Sequence, residues 1–466
     1  MPIPTPQRRI STPQRQAPGP RRRYPGEHLI AMRRDPLAFL TRLAAWGDVV
    51  GVELGPMRVH LVSRPDLVRD VLVTHHRAFH KGIGLQRAKR LLGEGLLTSE
   101  GELHRRQRRL VQPAFHHQRI AAYAAAMVDH AGRTSARWEA LAAAGGGRVR
   151  VDAHAEMMRL TLAIVGRTLF DRDVGDRADA IGRALEASLS LFQRLGTMPF
   201  AELLERLPLP GNLRFRAARR ELDDLVYGMI RERRASPGDR GDLLSMLLLA
   251  ADDESGAPMS DVLLRDEVMT LVLAGHETTA NALTWCWLLL ARHPDAEARL
   301  QRELEGALGE REATAADLPA LPYARAIVSE SLRLFPPAWV IGRRAREDVE
   351  LDGYLIPAGS IVLVSPWVMH RDVRWYAEPE RFDPGRWLEG AEAARPRFAF
   401  FPFGGGPRIC VGEQFAWTEA TLVLATLARR WRLRLAPEAP VELRPSITLR
   451  PAAGLPMLLE RRHAVP

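Results

Sequence analysis

Residues Asp48–Leu54 and Arg58–Val62 partly alternate apolar and polar positions and carry several valines. That pattern predicts a short hairpin turning at Gly55-Pro56. From about Pro65 to Leu300 the period changes. Apolar residues recur at three- and four-residue steps among many Ala and Leu, the mark of packed helices. Leu207-Pro208-Leu209-Pro210-Gly211-Asn212 interrupts the pattern and predicts a surface loop between two helices acting as a lid. Ser260-Asp261 reads as an N-cap, and the periodic run after it ends near His293-Pro294. Such a helix has roughly 30 residues and a length on the order of 45 Å, enough to cross the whole molecule. A further helix is expected from Pro322 to Leu334, stopped by Phe335-Pro336-Pro337. Short strands follow at Val349–Leu351, Gly353–Pro357 and Ile361–Val364, and a last helix begins just after Cys410.

Composition narrows the class. Of 466 residues 46% are hydrophobic and 26% charged, as in folded globular proteins. No linker or fixed-period repeat divides the chain, so one large helical body is expected over residues 25–466. Residues 1–24, rich in Pro, Arg and Gln, read as a flexible basic tail. There is no signal peptide and no apolar stretch of the roughly 18 residues a membrane span requires. A membrane anchor is therefore not expected. Two cysteines, Cys286 and Cys410, exclude a disulfide scaffold and suit a reducing cytoplasm. Cys286 lies in the apolar run Ala282–Ala291 and reads as a small buried hydrophobe. The formal charge is +10, nearly all of it from Arg. No zinc-finger spacing, RNA-binding aromatic motif or basic heptad accompanies it, so nucleic acid is not the expected partner. An acidic protein partner fits a basic face better.

Three stretches carry chemistry. In Phe401-Pro-Phe-Gly-Gly-Gly-Pro-Arg-Ile-Cys410-Val-Gly412, the glycines permit positive φ and close approach to a flat partner. Cys410 then precedes a helix whose positive end favours a thiolate. In Ala274-Gly275-His276-Glu277-Thr278-Thr279, a glycine, a carboxylate and two β-branched residues break the local rules of the long helix. Such violations mark functional sites. They suggest a groove or loosened turn, with a carboxylate beside a hydroxyl able to relay protons. The other reading of the threonines is hydrogen bonding to the helix backbone. Glu330 and Arg333 stand three apart on one helix face.

The cysteine segment closely resembles the heme-binding loop of the cytochrome P450 family, through Phe403, Gly406, Arg408, Cys410 and Gly412. The resemblance spans about Pro18 to Leu459, with its motifs in order, and implies a mainly α fold with small β-sheets and a long central helix. It implies heme b with Cys410 as axial thiolate and metal ligand. A thiolate donates electron density to heme iron and favours O–O cleavage. The family's acid–alcohol pair falls on Glu277 and Thr278, with Ala274 and Gly275 beside the heme. Glu330, Arg333 and Arg386, in Pro384-Gly385-Arg386-Trp387, match a structural triad that holds the heme loop. His104, Arg108, Arg343 and Arg408 match propionate-binding positions.

Placed relative to these motifs, Leu92, Leu96, Val272, Ala274, Ala338, Val340 and Ile447 are expected to line an apolar pocket. Terpenes, fatty acids, steroids and polyketide-like molecules all suit it. About 50 residues follow Cys410, so electrons from NAD(P)H are expected through a separate ferredoxin or flavodoxin and its reductase. The expectation is a monomeric monooxygenase that inserts one oxygen atom from O₂. Peroxygenation, desaturation, coupling and non-catalytic heme sensing are the alternatives. Glu277-Thr278 favours the O₂ route.

Overall fold

The structure is a computed structural model and describes residues 15–145, 149–172, 209–236, 238–249, 258–388, 390, 394–438 and 440–462. Of the segment expected as a loop at 207–212, residues 207 and 208, and the stretch 173–206 before it that was expected to form one side of the lid, lie outside these residues. Its described end differs from the expected loop. Pro210, Gly211 and Asn212 open the helix Pro210–Ala235. Proline at the first helical position loses no hydrogen bond, so the break in pattern marks a helix start.

The long helix runs unbroken from Asp261 to Arg292, 32 residues, and Ser260 Oγ accepts the Leu263 N–H at 3.3 Å. It packs against the helices Ala153–Phe170, Pro322–Leu334 and Glu413–Arg430. Three tryptophans lock its C-terminal half. Trp138 stands edge-on to both Trp287 and Trp431, with ring centroids 6.5 and 5.9 Å apart. The indole N–H of Trp138 donates to Glu156 at 2.5 Å and that of Trp431 to Ser135 at 2.8 Å. Buried indoles thus keep their polar tips satisfied.

The hairpin Val49–Leu54 and Met57–Val62 forms as expected, with Gly55 at φ 63°. It becomes the edge of a five-stranded sheet that continues through Ile361–Val364, Ile341–Ala345 and Phe79–Lys81. Three residues at Phe79–Lys81 and four at Val149–Asp152 are strands inside the stretch read as helical. They are too short to leave a period of two in the sequence. Residues 15–24 correct the expected tail. Leu355 N–H donates to Arg15 C=O at 3.0 Å and Gly51 N–H to Pro18 C=O at 2.8 Å. This segment is held by backbone hydrogen bonds to the sheet region, which a reading from composition does not detect. Residues 1–14 lie outside the described set.

No described helix is long and apolar enough to cross a membrane. The hairpin Leu443–Pro445 and Leu449–Pro451 packs near the middle of the long helix, where Trp285 Nε1 donates to Leu449 C=O at 3.2 Å.

Candidate active site

The loop before Cys410 is shaped by its glycines. Gly404 and Gly406 adopt φ of 74° and 68°, the region that favours glycine. A Cβ on Gly406 would stand 2.1 Å from the Leu72 carbonyl oxygen, and one on Gly405 2.5 Å from the Phe398 ring. The close approach expected toward a flat partner is therefore also an approach to the protein's own wall. Cys410 N–H donates to Phe403 C=O at 3.0 Å, and Phe403 packs on Trp417. Gly412 caps the helix Glu413–Arg430, so the sulfur sits just ahead of a helix N-terminus.

The two cysteines differ sharply. Cys286 is buried and Cys410 is exposed. Burial pushes the Cys286 thiol up to about 12. Desolvation by surrounding protein pushes Cys410 up to about 11, while the Gly412 N–H and the Arg108 charge pull it down. The helix end favours the thiolate, as expected, but does not outweigh that desolvation. A bound cation would, because coordination to a metal deprotonates a thiol outright.

Beside the sulfur is a cradle of positive charge. Arg108 Nη1 donates to Ile409 C=O at 2.6 Å. His104, one turn earlier on the same helix, is buried and held neutral, its value lowered to about 4 by burial and by Lys81, Arg408 and Arg108. Arg343 is 5% exposed, lowered to about 10 by burial, and its Nε has no hydrogen-bond partner among the described residues. Arg408 donates to Phe79 C=O at 3.0 Å, His76 C=O at 3.2 Å and Glu100 at 2.8 Å. It is thus tied to protein acceptors, beyond the free cation expected from its motif.

Two residues of the cradle escaped the sequence reading. Lys81 pairs with Arg343 across the sheet. Its buried ammonium donates to Leu96 C=O at 2.8 Å and Ser99 C=O at 2.7 Å, and burial lowers it to about 7. Glu100 is the carboxylate that meets Arg408. A signal existed for Lys81: it and Lys89 are the two lysines of a chain whose other cations are arginines.

On the long helix, Thr278 Oγ1 donates to Ala274 C=O at 2.7 Å and Thr279 Oγ1 to Gly275 C=O at 3.3 Å. Both hydroxyls therefore make the backbone bond foreseen as the second reading, and their oxygens keep lone pairs for another donor. The expected loosened turn is not present. The helix stays α throughout, and the space above Gly275 admits Val165, whose Cγ2 would lie 3.1 Å from an added Cβ. Glu277 is buried and accepts the Thr448 hydroxyl at 2.5 Å. His276 meets Val272 C=O at 3.3 Å. Behind this turn, Glu419 is fully buried, faces Thr279, and is held protonated because burial pushes it well above the usual carboxylate range. No local pattern marks Glu419, which sits in an ordinary helix nine residues after the cysteine.

Glu330 and Arg333 form a closed network. Two Arg333 nitrogens meet the two Glu330 oxygens at 2.8 Å each. Glu330 also accepts Asp383 N–H at 2.9 Å and Trp387 Nε1 at 2.8 Å, with Arg386 Nε at 3.4 Å. Arg333 donates onward to the carbonyls of His370, Pro379 and Arg381. His370 Nε2 in turn accepts Phe401 N–H at 3.0 Å, so the network reaches the cysteine loop through a histidine that the sequence reading did not single out. Of the residues expected to line a pocket, Leu92 and Leu96 are buried in the main core, with Val272 and Ile447 half-buried against it. Ala274 and Ala338 are half-buried, and Val340 packs on a second cluster beneath the sheet.

Comparison with known proteins agrees with this geometry. Residues 25–455 match the family model described as Cytochrome P450. The chain is 45% identical over 437 residues to cyclooctatin synthase of Streptomyces melanosporofaciens, covering 93% of each chain. It is 42% identical to cyclooctat-9-en-7-ol 5-monooxygenase of the same organism, covering 88% of each. The crystal structure of the cytochrome P450DA heme domain superposes with a TM-score of 0.85 at 27% identity, covering 96% of this chain and 98% of that one. The cofactor is accordingly heme b with a cysteine thiolate ligand. The residues present fit it: an exposed sulfur, a glycine loop and buried cations with an unpartnered guanidinium nitrogen suit a flat group bearing iron and two carboxylates.

Proposed function

The chain belongs to the cytochrome P450 family and is a monooxygenase; from that premise we propose that its substrate is a terpene, oxidised with electrons from a separate ferredoxin or flavodoxin. The observation that carries the site assignment is the exposed Cys410 sulfur beside a cation-rich cradle. Cys410 would hold the heme iron through its thiolate, and Arg108 would offset the charge of that sulfur. His104, Arg108, Arg343 and Arg408 hold the heme carboxylates, with Lys81 holding the segment Leu96–Ser99 against them. When bound, heme supplies the iron at which dioxygen is reduced by two electrons and split with two protons. Glu277 passes protons through its carboxylate, and Thr278 through its hydroxyl. Ala274 and Gly275 form the wall beside them. Leu92, Leu96, Val272, Ala338, Val340 and Ile447 exclude water and hold the substrate by burial, worth roughly 25 cal/mol per Å² of apolar surface.

The terpene assignment is supported by a relative named for mono-oxygenation of cyclooctat-9-en-7-ol and by another named for synthesis of cyclooctatin. An acidic electron donor is supported by exposed Arg105 and Arg109 on the helix of Arg108, and by Arg397 near Glu413. The enzyme works in the cytoplasm as a monomer. Reduced, carbon-monoxide-treated protein will show a strongly red-shifted Soret band, which Cys410→Ser abolishes; a red-shifted band in that variant would overturn the ligand assignment. Titration with cyclic terpenes and terpene alcohols will shift the spin state at lower concentration than fatty acids or steroids. The reverse order would overturn the substrate class.

A further inference from the structure

Glu277 is held from outside its own helix. The contact comes from Thr448, in the tight turn of the hairpin Leu443–Pro451, 171 residues away in sequence. Thr448 Oγ1 donates to Glu277 Oε1 at 2.5 Å. The direction of that bond is fixed by a second one. Asn281 Nδ2, one helical turn after Glu277, donates to the same Thr448 oxygen at 3.1 Å. A hydroxyl has one proton, so an oxygen that accepts the amide commits its proton to the carboxylate. The amide is oriented in turn: His154 Nε2, on the helix Ala153–Phe170, stands 3.1 Å from Asn281 Oδ1. Asn281 and Thr448 are 0% and 5% exposed, so water does not compete for these bonds.

The hairpin is itself anchored on three sides. Trp339 Nε1 donates to Ser446 C=O at 2.9 Å, Leu449 N–H to Pro337 C=O at 2.9 Å, and Trp285 Nε1 to Leu449 C=O at 3.2 Å. Ser446 N–H closes the turn on Thr448 C=O at 3.0 Å. The threonine hydroxyl is therefore set by the same backbone that carries Ile447, one of the residues assigned to the pocket wall.

We propose that Thr448 is a positioning residue for proton delivery: its hydroxyl, oriented by Asn281 and His154, fixes one oxygen of the Glu277 carboxylate so that the other serves Thr278. This rests on the reading of Glu277 as the acid of the relay. Asn281 supplies orientation only, because an amide does not pass protons. Two consequences follow for the reaction. Dioxygen must take up two protons from the chain, whereas hydrogen peroxide arrives with its protons. A misplaced Glu277 therefore slows the O₂ route and spares the peroxide route. General damage to the fold lowers both.

The test uses full-length holoenzyme with an alkoxycoumarin reporter, a surrogate ferredoxin and reductase. The readout is the ratio of O₂-driven to peroxide-driven dealkylation, with peroxide released per NAD(P)H consumed. Thr448→Val keeps the shape and removes the donor, and the ratio is expected to fall about tenfold, the effect of one hydrogen bond to a charged group. Thr448→Ser restores it to within about twofold. Glu277→Gln lowers it about 100-fold, and adding Thr448→Val to Glu277→Gln changes nothing more. A wild-type ratio in Thr448→Val alongside a lowered one in Glu277→Gln overturns the proposal and leaves the role of Glu277 standing. A wild-type ratio in Glu277→Gln overturns that role itself. Failure of serine to rescue also overturns the proposal. If the valine variant does not load heme, Thr448→Ala carries the same comparison.

Discussion

Two buried charge clusters flank the cysteine loop, and they are built on opposite plans. Around Glu330 opposite charges meet within the protein, and only the Arg386 Nε, 3.4 Å from Glu330, lacks a hydrogen bond among the described donors of the Glu330–Arg333–Arg386 triad. The Glu330 oxygens take Arg333 twice, an indole and a backbone N–H, while Arg333 spends its remaining donors on carbonyls. Around Arg343 the charges do not balance. Lys81, Arg108, Arg343 and Arg408 gather where Glu100 pairs with Arg408 and Glu267 acts on Lys81, and Arg343 Nε has no hydrogen-bond partner among the described residues. Removing charge from water costs several kcal/mol per ion unless it is repaid locally. A repaid cluster is a structural rivet. An unrepaid one is a receptor for the opposite charge, here the heme carboxylates.

Four measurements bear on this contrast. The largest effect is expected from Glu330→Ala, which strands a buried guanidinium and costs about 3–5 kcal/mol. Denaturant unfolding will show little or no folded protein, and a stable variant would remove the distinction. Next is the acid limb of protein stripped of heme. His104 is held at about 4 in the fold against 6.5 unfolded. The unfolded chain therefore binds the extra proton first, and stability falls as pH drops from 6.5 to about 4, by about 3 kcal/mol. Heme carboxylates favour the charged imidazole, so the loaded protein loses less over the same window. An identical slope in both forms would place His104 away from the heme. Third, Arg343→Leu should unfold at nearly the wild-type denaturant midpoint yet release heme to an apoprotein acceptor about tenfold faster, the equivalent of one charge-assisted hydrogen bond. The smallest effect belongs to Glu419→Gln. The carboxyl is already neutral in the fold, so stability at pH 5 changes by less than about 1 kcal/mol. The wild type loses stability as pH rises from the unfolded carboxyl value toward the raised folded one, and the amide lacks that loss.

How far the sequence carried depends on how far apart the interacting residues are. The cysteine loop, the helix cap at Ser260, the helix start just after Cys410 and the Glu330–Arg333 pair were legible because each cause lies within a few residues of its effect. The local exceptions in Ala274–Thr279 were also legible, although their geometry was not. Gly275 makes room for Val165 of another helix, a contact that no window around residue 275 contains. The same holds for Gly406 against Leu72, for Lys81 under the Leu96–Ser99 segment and for Thr448 on Glu277. Short strands such as Phe79–Lys81 are defined by their sheet neighbours, here Ile341–Ala345, rather than by their own three residues. Long-range packing decides these features, and one sequence does not display it.

The burial of Lys81 has a practical corollary. Amine-directed reagents meet few targets on this chain, since Lys81 is 4% exposed and the other lysine, Lys89, lies on the surface in an ion pair with Glu94. Among side chains, coupling to an activated-ester surface will therefore tether the enzyme through Lys89, one fixed point of attachment.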